Sequence, residues 1–81
     1  MIVHVKLFAL AAELTGADTL ELELPARTTI AELRARLAAE HPSLGPLVAA
    51  AMFAIDAQYA TDGAEIPANA QVACIPPVSG G

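Results

Sequence analysis

Two segments near the start of the chain, residues 1–8 and 18–24, alternate between apolar and polar residues. A period of two predicts half-buried strands with one face on the core and one in water. The apolar positions expected to face the core are Val3, Val5, Leu7, Leu20, Leu22 and Leu24. Pro25 ends the second strand because proline cannot donate to a strand ladder. The two strands are close enough in sequence to form a hairpin.

A helical pattern begins at Thr29-Ile30-Ala31-Glu32, which is a capping box with a hydroxyl at the N-cap and a carboxylate three residues later. The apolar stripe that follows, at spacings of three and four, is Ile30, Leu33 and Leu37. It predicts an amphipathic helix of about three turns that stops before Pro42. Arg34 and Arg36 lie off the stripe, and we expect both side chains to be solvated.

Shorter signals predict the remaining elements. They are a helical turn over 11–15 ended by Gly16, a second short helix over 43–51, and strands over 53–56, 58–60 and 71–75. Within the second helix, Leu44, Leu47 and Val48 would face the core. Asp56-Ala57 is the predicted turn between the third and fourth strands.

The order strand, strand, helix, short helix, strands predicts a two-layer α+β domain. A right-handed crossover would place the last strand parallel to the first, with Val72 in the core. This arrangement is the β-grasp, or ubiquitin-like, fold: a mixed sheet with one main helix across one face. We expect residues 1–75 to form the domain and residues 76–81 an extended C-terminal tail.

Composition narrows the class of protein. Eighty-one residues make one small domain, and a net charge of −5 argues against nucleic acid and anionic membranes as partners. The longest apolar run, residues 47–55, is far shorter than the about 20 residues of a membrane helix. A single cysteine, Cys74, cannot form an internal disulfide, so we expect a cytoplasmic protein.

Catalytic motifs are missing from the sequence. His4 and His41 have no partner at metal-ligand spacing, Cys74 has no CxxC companion, and there is no glycine-rich phosphate loop. We therefore expect that this protein is not an enzyme on its own and that the chain binds no cofactor or metal. Cys74 is interpreted as a small buried hydrophobe of the last strand.

The chain ends in Gly80-Gly81, after Pro76-Pro77. A terminal glycine carboxylate has no Cβ, so a narrow channel can close over the backbone from both sides. Such a carboxylate can be activated as an acyl-adenylate, from which a sulfur nucleophile displaces AMP to leave a thiocarboxylate. The two prolines would hold the root of the tail extended. The simpler interpretation is a frayed end.

The ending over residues 72–81, Val-Ala-Cys-Ile-Pro-Pro-Val-Ser-Gly-Gly, resembles that of the small subunits of molybdopterin synthase. The opening over residues 5–9, the segment over 13–16 and the helix start over 29–33 are also similar to this family. The resemblance covers essentially the whole chain, and the Pro-Pro-Val-Ser-Gly-Gly ending is its most specific part.

The resemblance implies a non-catalytic sulfur-donor subunit whose Gly81 receives the sulfur. A ubiquitin-activating-like adenylyltransferase, using ATP and Mg²⁺, would adenylate Gly81, and a sulfur donor protein would supply the sulfur. The tail, including Val78, Ser79 and Gly80, would then enter the large synthase subunit and give sulfur to cyclic pyranopterin monophosphate. The family's complexes are heterotetramers.

An apolar patch formed by Phe8, Tyr59 and Ile75, on the sheet face away from the helix, is the predicted docking site, together with Pro76 and Pro77 at the tail root. These residues could instead be scattered surface hydrophobes with no docking role. The sequence is also compatible with a sulfur carrier for thiamin or tRNA thiolation, with a ubiquitin-like protein modifier that forms isopeptide bonds through Gly81, and with a plain interaction module.

Overall fold

The computed structural model describes residues 1–77. Its elements are β1 (Ile2–Leu7), α1 (Ala9–Thr15), β2 (Thr19–Glu23), α2 (Ile30–Glu40), a 3₁₀ helix (Pro42–Leu44), α3 (Gly45–Ala50), β3 (Met52–Ile55), β4 (Gln58–Ala60) and β5 (Gln71–Ile75). Each predicted strand is present, and the main helix begins at the predicted capping box.

Within these residues the strands form one five-stranded sheet in the order β2-β1-β5-β3-β4. β1 and β5 are parallel, whereas β1–β2, β3–β5 and β3–β4 are antiparallel. The predicted crossover is therefore confirmed, and so is the β-grasp fold. β5 lies at the centre of the sheet and is bonded on both sides.

The core lies between the sheet and α2, as the alternation predicts. Val3, Val5 and Leu7 are buried, while the residues between them are exposed. The other predicted core residues found buried are Leu22, Leu24, Ile30, Leu33, Leu37, Leu44, Val48 and Val72. Leu20 and Leu47 are only partly buried and pack against the edge of this core.

Several core positions carry no periodic signal in the sequence. Phe53 and Ile66 are almost fully buried, as is Ala11 on α1. Ala11 belongs to an alanine-rich segment in which apolar residues occur on every face of the helix. Its burial depends on the packing of α1 against the 3₁₀ helix, a contact distant in sequence.

Several element ends differ from the predictions. β2 spans Thr19–Glu23 rather than 18–24, and α1 begins at Ala9 rather than at residue 11. β1 runs from Ile2 to Leu7, and Phe8 is the N-cap residue of α1, so the strand predicted over 1–8 is one residue too long at each end. The helix predicted over 43–51 is a 3₁₀ turn followed by α3, which begins at Gly45 and has Pro46 in its first turn, where a proline is well tolerated. β3 begins at Met52 and ends before Asp56.

None of the helices within residues 1–77 is long and apolar enough to cross a membrane.

Candidate functional site

The tail root is the end of the central strand. β5 ends at Ile75 and is followed by Pro76, which is half-buried, and Pro77, which is exposed. Neither proline has an N–H with which to extend a ladder, so strand pairing stops where the tail begins. Val78, Ser79, Gly80 and Gly81 lie outside the described residues, and their predicted roles stay predictions.

The structure brings the three predicted patch residues together. Phe8, Tyr59 and Ile75 line one shallow groove of about 360 Å³ on the sheet face opposite α2. Phe8 is 40% exposed and Tyr59 69% exposed, so both aromatic rings are available to a partner. The groove ends at Ile75, directly beside Pro76. The docking role of this surface, which we call the apolar groove, stays a prediction.

Strand register explains the shape of the groove. Ala54 pairs with Ala73 on one side and with Tyr59 on the other. The two alanine methyl groups therefore form the floor of the groove, and the Tyr59 ring forms one side of it. Ile75 pairs with Met52, whose side chain is 56% exposed. Met52 therefore adds exposed apolar surface beside Ile75, and the strand predicted over 53–56 does not include it.

The β3–β4 turn fixes the position of Tyr59. Asp56 and Ala57 both adopt left-handed backbone angles, with φ of 48° and 69°. These angles suit the right-handed twist of a two-residue hairpin. The Asp56 carboxylate accepts a hydrogen bond from the Gln71 N–H at 2.9 Å, which ties the turn to the start of β5. The predicted Asp56-Ala57 turn is confirmed.

Lys6 is the charged residue of the groove lining. Its Nζ lies 5.3 Å from the centre of the Phe8 ring, within cation–π range. The sequence predicts only a solvated lysine here, because alternation places Lys6 on the same face as Phe8 but does not show which residues of the other strands lie beside it.

The opposite face of β5 is structural. The Cys74 side chain is fully buried, which confirms its interpretation as a core residue. Burial raises the pKa of the Cys74 thiol to about 11, against a smaller lowering by the Arg34 charge. The thiol is therefore protonated and shielded at neutral pH.

Arg34 corrects the prediction that both helix arginines are solvated. Its guanidinium donates hydrogen bonds to the carbonyls of Val48 at 2.6 Å and Ala51 at 2.7 Å, and to Asp62 Oδ1 at 2.8 Å. Its Cζ also lies 4.9 Å from the centre of the Phe53 ring. Arg36 makes only an exposed pair with Glu40, one helical turn away.

Across residues 1–77, the His, Cys, Asp and Glu side chains form no group of three or more that could hold a metal ion. His4 lies 3.9 Å from Glu21 on the solvated face of the sheet. The described residues thus provide an apolar groove whose lining includes Ile75, the residue before the tail root.

Known proteins are similar to this chain in sequence and in fold. A molybdopterin synthase sulfur carrier subunit of Arabidopsis thaliana is 37% identical over 79 residues, which cover 98% of this chain and 82% of that protein. A crystal structure of SAMP1, small archaeal modifier protein 1, from Haloferax volcanii superposes with a TM-score of 0.83 at 28% identity, covering 100% of both chains.

A third similar structure is a complex of subunits 1 and 2 of the molybdopterin-converting factor from Helicobacter pylori. It has a TM-score of 0.70 at 21% identity and covers 100% of both chains, a likeness of fold. Residues 5–81 of the present chain also match the family model described as ThiS family, which covers nearly all of the sequence. The chain therefore belongs to the ThiS family.

Proposed function

We propose that this chain is the sulfur carrier subunit of a molybdopterin synthase. The observation that carries the proposal is the match, over 98% of the chain, to an Arabidopsis protein of that name. The groove and tail root support it, because a carrier needs a surface that docks and an end that reaches into its partner.

The sulfur would be carried on Gly81. An adenylyltransferase with ATP and Mg²⁺ converts the Gly81 carboxylate to an acyl-adenylate and releases pyrophosphate. The outer sulfur of a persulfide on a donor protein then attacks the carbonyl carbon, and AMP leaves. A thiol next attacks the donor's own sulfur in the resulting acyl disulfide, which breaks the S–S bond, releases the thiocarboxylate and leaves a disulfide between the thiol and the donor. The product is a thiocarboxylate in which sulfur has replaced one carboxylate oxygen.

The receiving partner would be the large synthase subunit. The Helicobacter pylori neighbour is a complex of subunits 1 and 2, which supports a large-subunit partner for a carrier of this fold. Docking of the apolar groove would fix the domain, so that the tail leaving β5 beside Pro76 points into the partner. Prolines at the root reduce the backbone entropy lost on insertion. The thiocarboxylate then gives its sulfur to cyclic pyranopterin monophosphate.

Intact-mass measurement tests the proposal. The protein, incubated with the adenylyltransferase, ATP, Mg²⁺ and a sulfur source, should gain the mass difference between sulfur and oxygen, located at Gly81 by fragmentation. The charged protein, mixed with the cognate large subunit, should then convert cyclic pyranopterin monophosphate to the dithiolene product.

A variant that lacks Gly81 is the control, since it keeps every described residue. It should be neither charged nor active. If it supports product formation at the wild-type rate, or if the wild-type protein is never charged, the proposal is wrong.

A protein modifier is the second candidate, favoured by the likeness to SAMP1. In that function the activated Gly81 carbonyl would form an isopeptide bond with a lysine amine of a target. The mass experiment separates the two functions, because conjugates retain the carrier on the target whereas sulfur transfer releases it with an unmodified carboxylate. A carrier for thiamin or tRNA thiolation would be charged in the same way but would not act with the large subunit.

A further inference from the structure

The charge of the apolar groove differs from the charge of the protein as a whole. The protein carries 9 Asp and Glu against 4 Lys and Arg, yet among the residues that line the groove the one charged side chain is Lys6. The local charge at the groove is therefore opposite in sign to the net charge.

The other three Lys and Arg side chains already have carboxylate partners. Arg27 pairs with Glu65, Arg34 with Asp62 and Arg36 with Glu40. Within residues 1–77 no ion pair is formed by Lys6, whose neighbours across the two ladders are Thr19 and Ala73. The Lys6 ammonium lies over the face of the Phe8 ring, with Nζ 5.3 Å from the ring centre.

Docking changes the energetics of this ammonium. A partner that covers Phe8, Tyr59 and Ile75 also removes water from Lys6, which borders the same groove. An ammonium that loses its water without gaining a partner costs free energy, whereas a carboxylate placed opposite offsets that cost and excludes partners with a cation there.

We propose that Lys6 is the residue through which the groove selects its partner, by pairing with a carboxylate that the large subunit presents beside an apolar side chain. The inference rests on the proposed function, since it names the chemistry of the partner surface. An apolar group occupies the space between Phe8, Tyr59 and Ile75, and the carboxylate reaches the rim at Lys6.

The test is the affinity of the cognate large subunit for the wild-type carrier and four variants, measured by calorimetry at low and moderate salt. Lys6→Met keeps the aliphatic stem and removes the charge, Lys6→Glu reverses it, and Lys6→Arg preserves it. Arg27→Met is the matched control, because it removes one positive charge from a side chain that is 82% exposed and lies outside the groove.

We expect Lys6→Met to weaken binding about 10-fold and Lys6→Glu about 100-fold or more, with Lys6→Arg and Arg27→Met close to wild type. Replacing the partner's paired Asp or Glu by Lys should restore binding to Lys6→Glu. Unchanged or tighter binding of Lys6→Met would overturn the inference. A wild-type carrier that fails to bind the large subunit would instead overturn the proposed function.

Discussion

Arg34 shows how a single charged side chain can join two helices and a loop. Its side chain extends from α2, donates to carbonyls at the C-terminal end of α3 and pairs with Asp62 in the loop after β4. Hydrogen bonds from a charged donor to half-buried carbonyls are stronger than those between neutral groups. The residue therefore stabilises the chain reversal that places β3 beside β5.

Replacing Arg34 by Met should lower the free energy of unfolding by about 2 kcal/mol, because the Val48 and Ala51 carbonyls lose their donor. Urea denaturation measures the change. Arg36→Met, which breaks only the exposed pair with Glu40, should cost less than about 0.5 kcal/mol. Equal losses in the two variants would contradict the structural role of Arg34.

Cys74 links stability to alkaline pH. Its thiol has a folded-state pKa of about 11, against a usual value of 9.0. Between these two values the unfolded chain releases a proton that the folded protein keeps. The free energy of unfolding should therefore fall as pH rises above 9, by up to about 1.4 kcal/mol per pH unit from this group.

Cys74→Ala tests this link. Urea denaturation between pH 7 and 10.5 should show a shallower alkaline loss of stability in the variant than in the wild-type protein. Sulfur loading should be unchanged, because in the proposed function the sulfur is carried on Gly81. An identical pH dependence would disprove the thiol's contribution, and lost loading would give Cys74 a chemical role.

At the scale of elements, α2 depends on its capping box. The Thr29 hydroxyl accepts the Glu32 N–H, while the Glu32 carboxylate accepts the Thr29 N–H at 3.0 Å. The bond from the Thr29 N–H, and to a smaller extent a bond that the Thr29 hydroxyl donates to the same carboxylate at 3.0 Å, lower the pKa of Glu32. The carboxylate therefore contributes stability above its unfolded pKa, and that contribution is lost as pH falls through the folded value.

Thr29→Ala should destabilise the protein by about 1 kcal/mol, because an N-cap side chain is lost. The measurement is thermal or urea denaturation at pH 7. Thr61→Ala, at an exposed loop threonine, is the matched control and should leave the midpoint within error. A similar effect of both substitutions would show that the cap contributes little.

One residue of the β3–β4 turn, Ala57, has a backbone conformation that is unfavourable for a residue with a Cβ. Ala57 has φ of 69°, a region that glycine adopts without the penalty of about 1 kcal/mol paid by residues with a Cβ. Ala57→Gly should therefore raise the free energy of unfolding by up to about 1 kcal/mol, as measured in urea. Ala17→Gly, at a position without positive φ, should not stabilise; if it does so equally, the strain argument is wrong.

At the scale of the whole molecule, the apolar groove and the tail root lie on one continuous surface. Tyr59→Asp should weaken binding to the large subunit by about 10- to 100-fold, because a carboxylate would replace the aromatic ring that the partner covers in the complex. Tyr59 is 69% exposed in the free protein, so the variant should remain folded, which circular dichroism checks.

Leu14→Asp is the matched control for the groove. Leu14 is another exposed large apolar residue, at 46%, but it lies on α1 and does not line the groove. Its replacement should leave affinity for the large subunit unchanged. Equal weakening by both variants would show that the binding surface is not the groove.

Most of the fold is predictable from local patterns. The strand alternation at Val3, Val5 and Leu7 and the capping box at Thr29 each fix an element and the face it buries. The site is predictable in part, since Phe8 and Ile75 are outer-face positions by parity and the structure places both at one groove.

What the sequence could not show depends on contacts distant along the chain. Arg34 looks solvated on a helical wheel because its partners, Val48 and Ala51, follow it by 14 and 17 residues. Lys6 looks ordinary until the pairing of β1 with β5 places it beside Ala73, in the lining of the apolar groove. Periodicity assigns a residue to a face but does not identify its neighbours there.

The position of β5 between β1 and β3 has a mechanical consequence. The strand that leads into the tail is hydrogen-bonded along both of its edges, in parallel to β1 and antiparallel to β3. A force that draws the tail out along the strand axis must shear both ladders together rather than peel one bond at a time. The domain should therefore stay intact while its end is withdrawn from a tight channel, as a carrier used for repeated rounds requires.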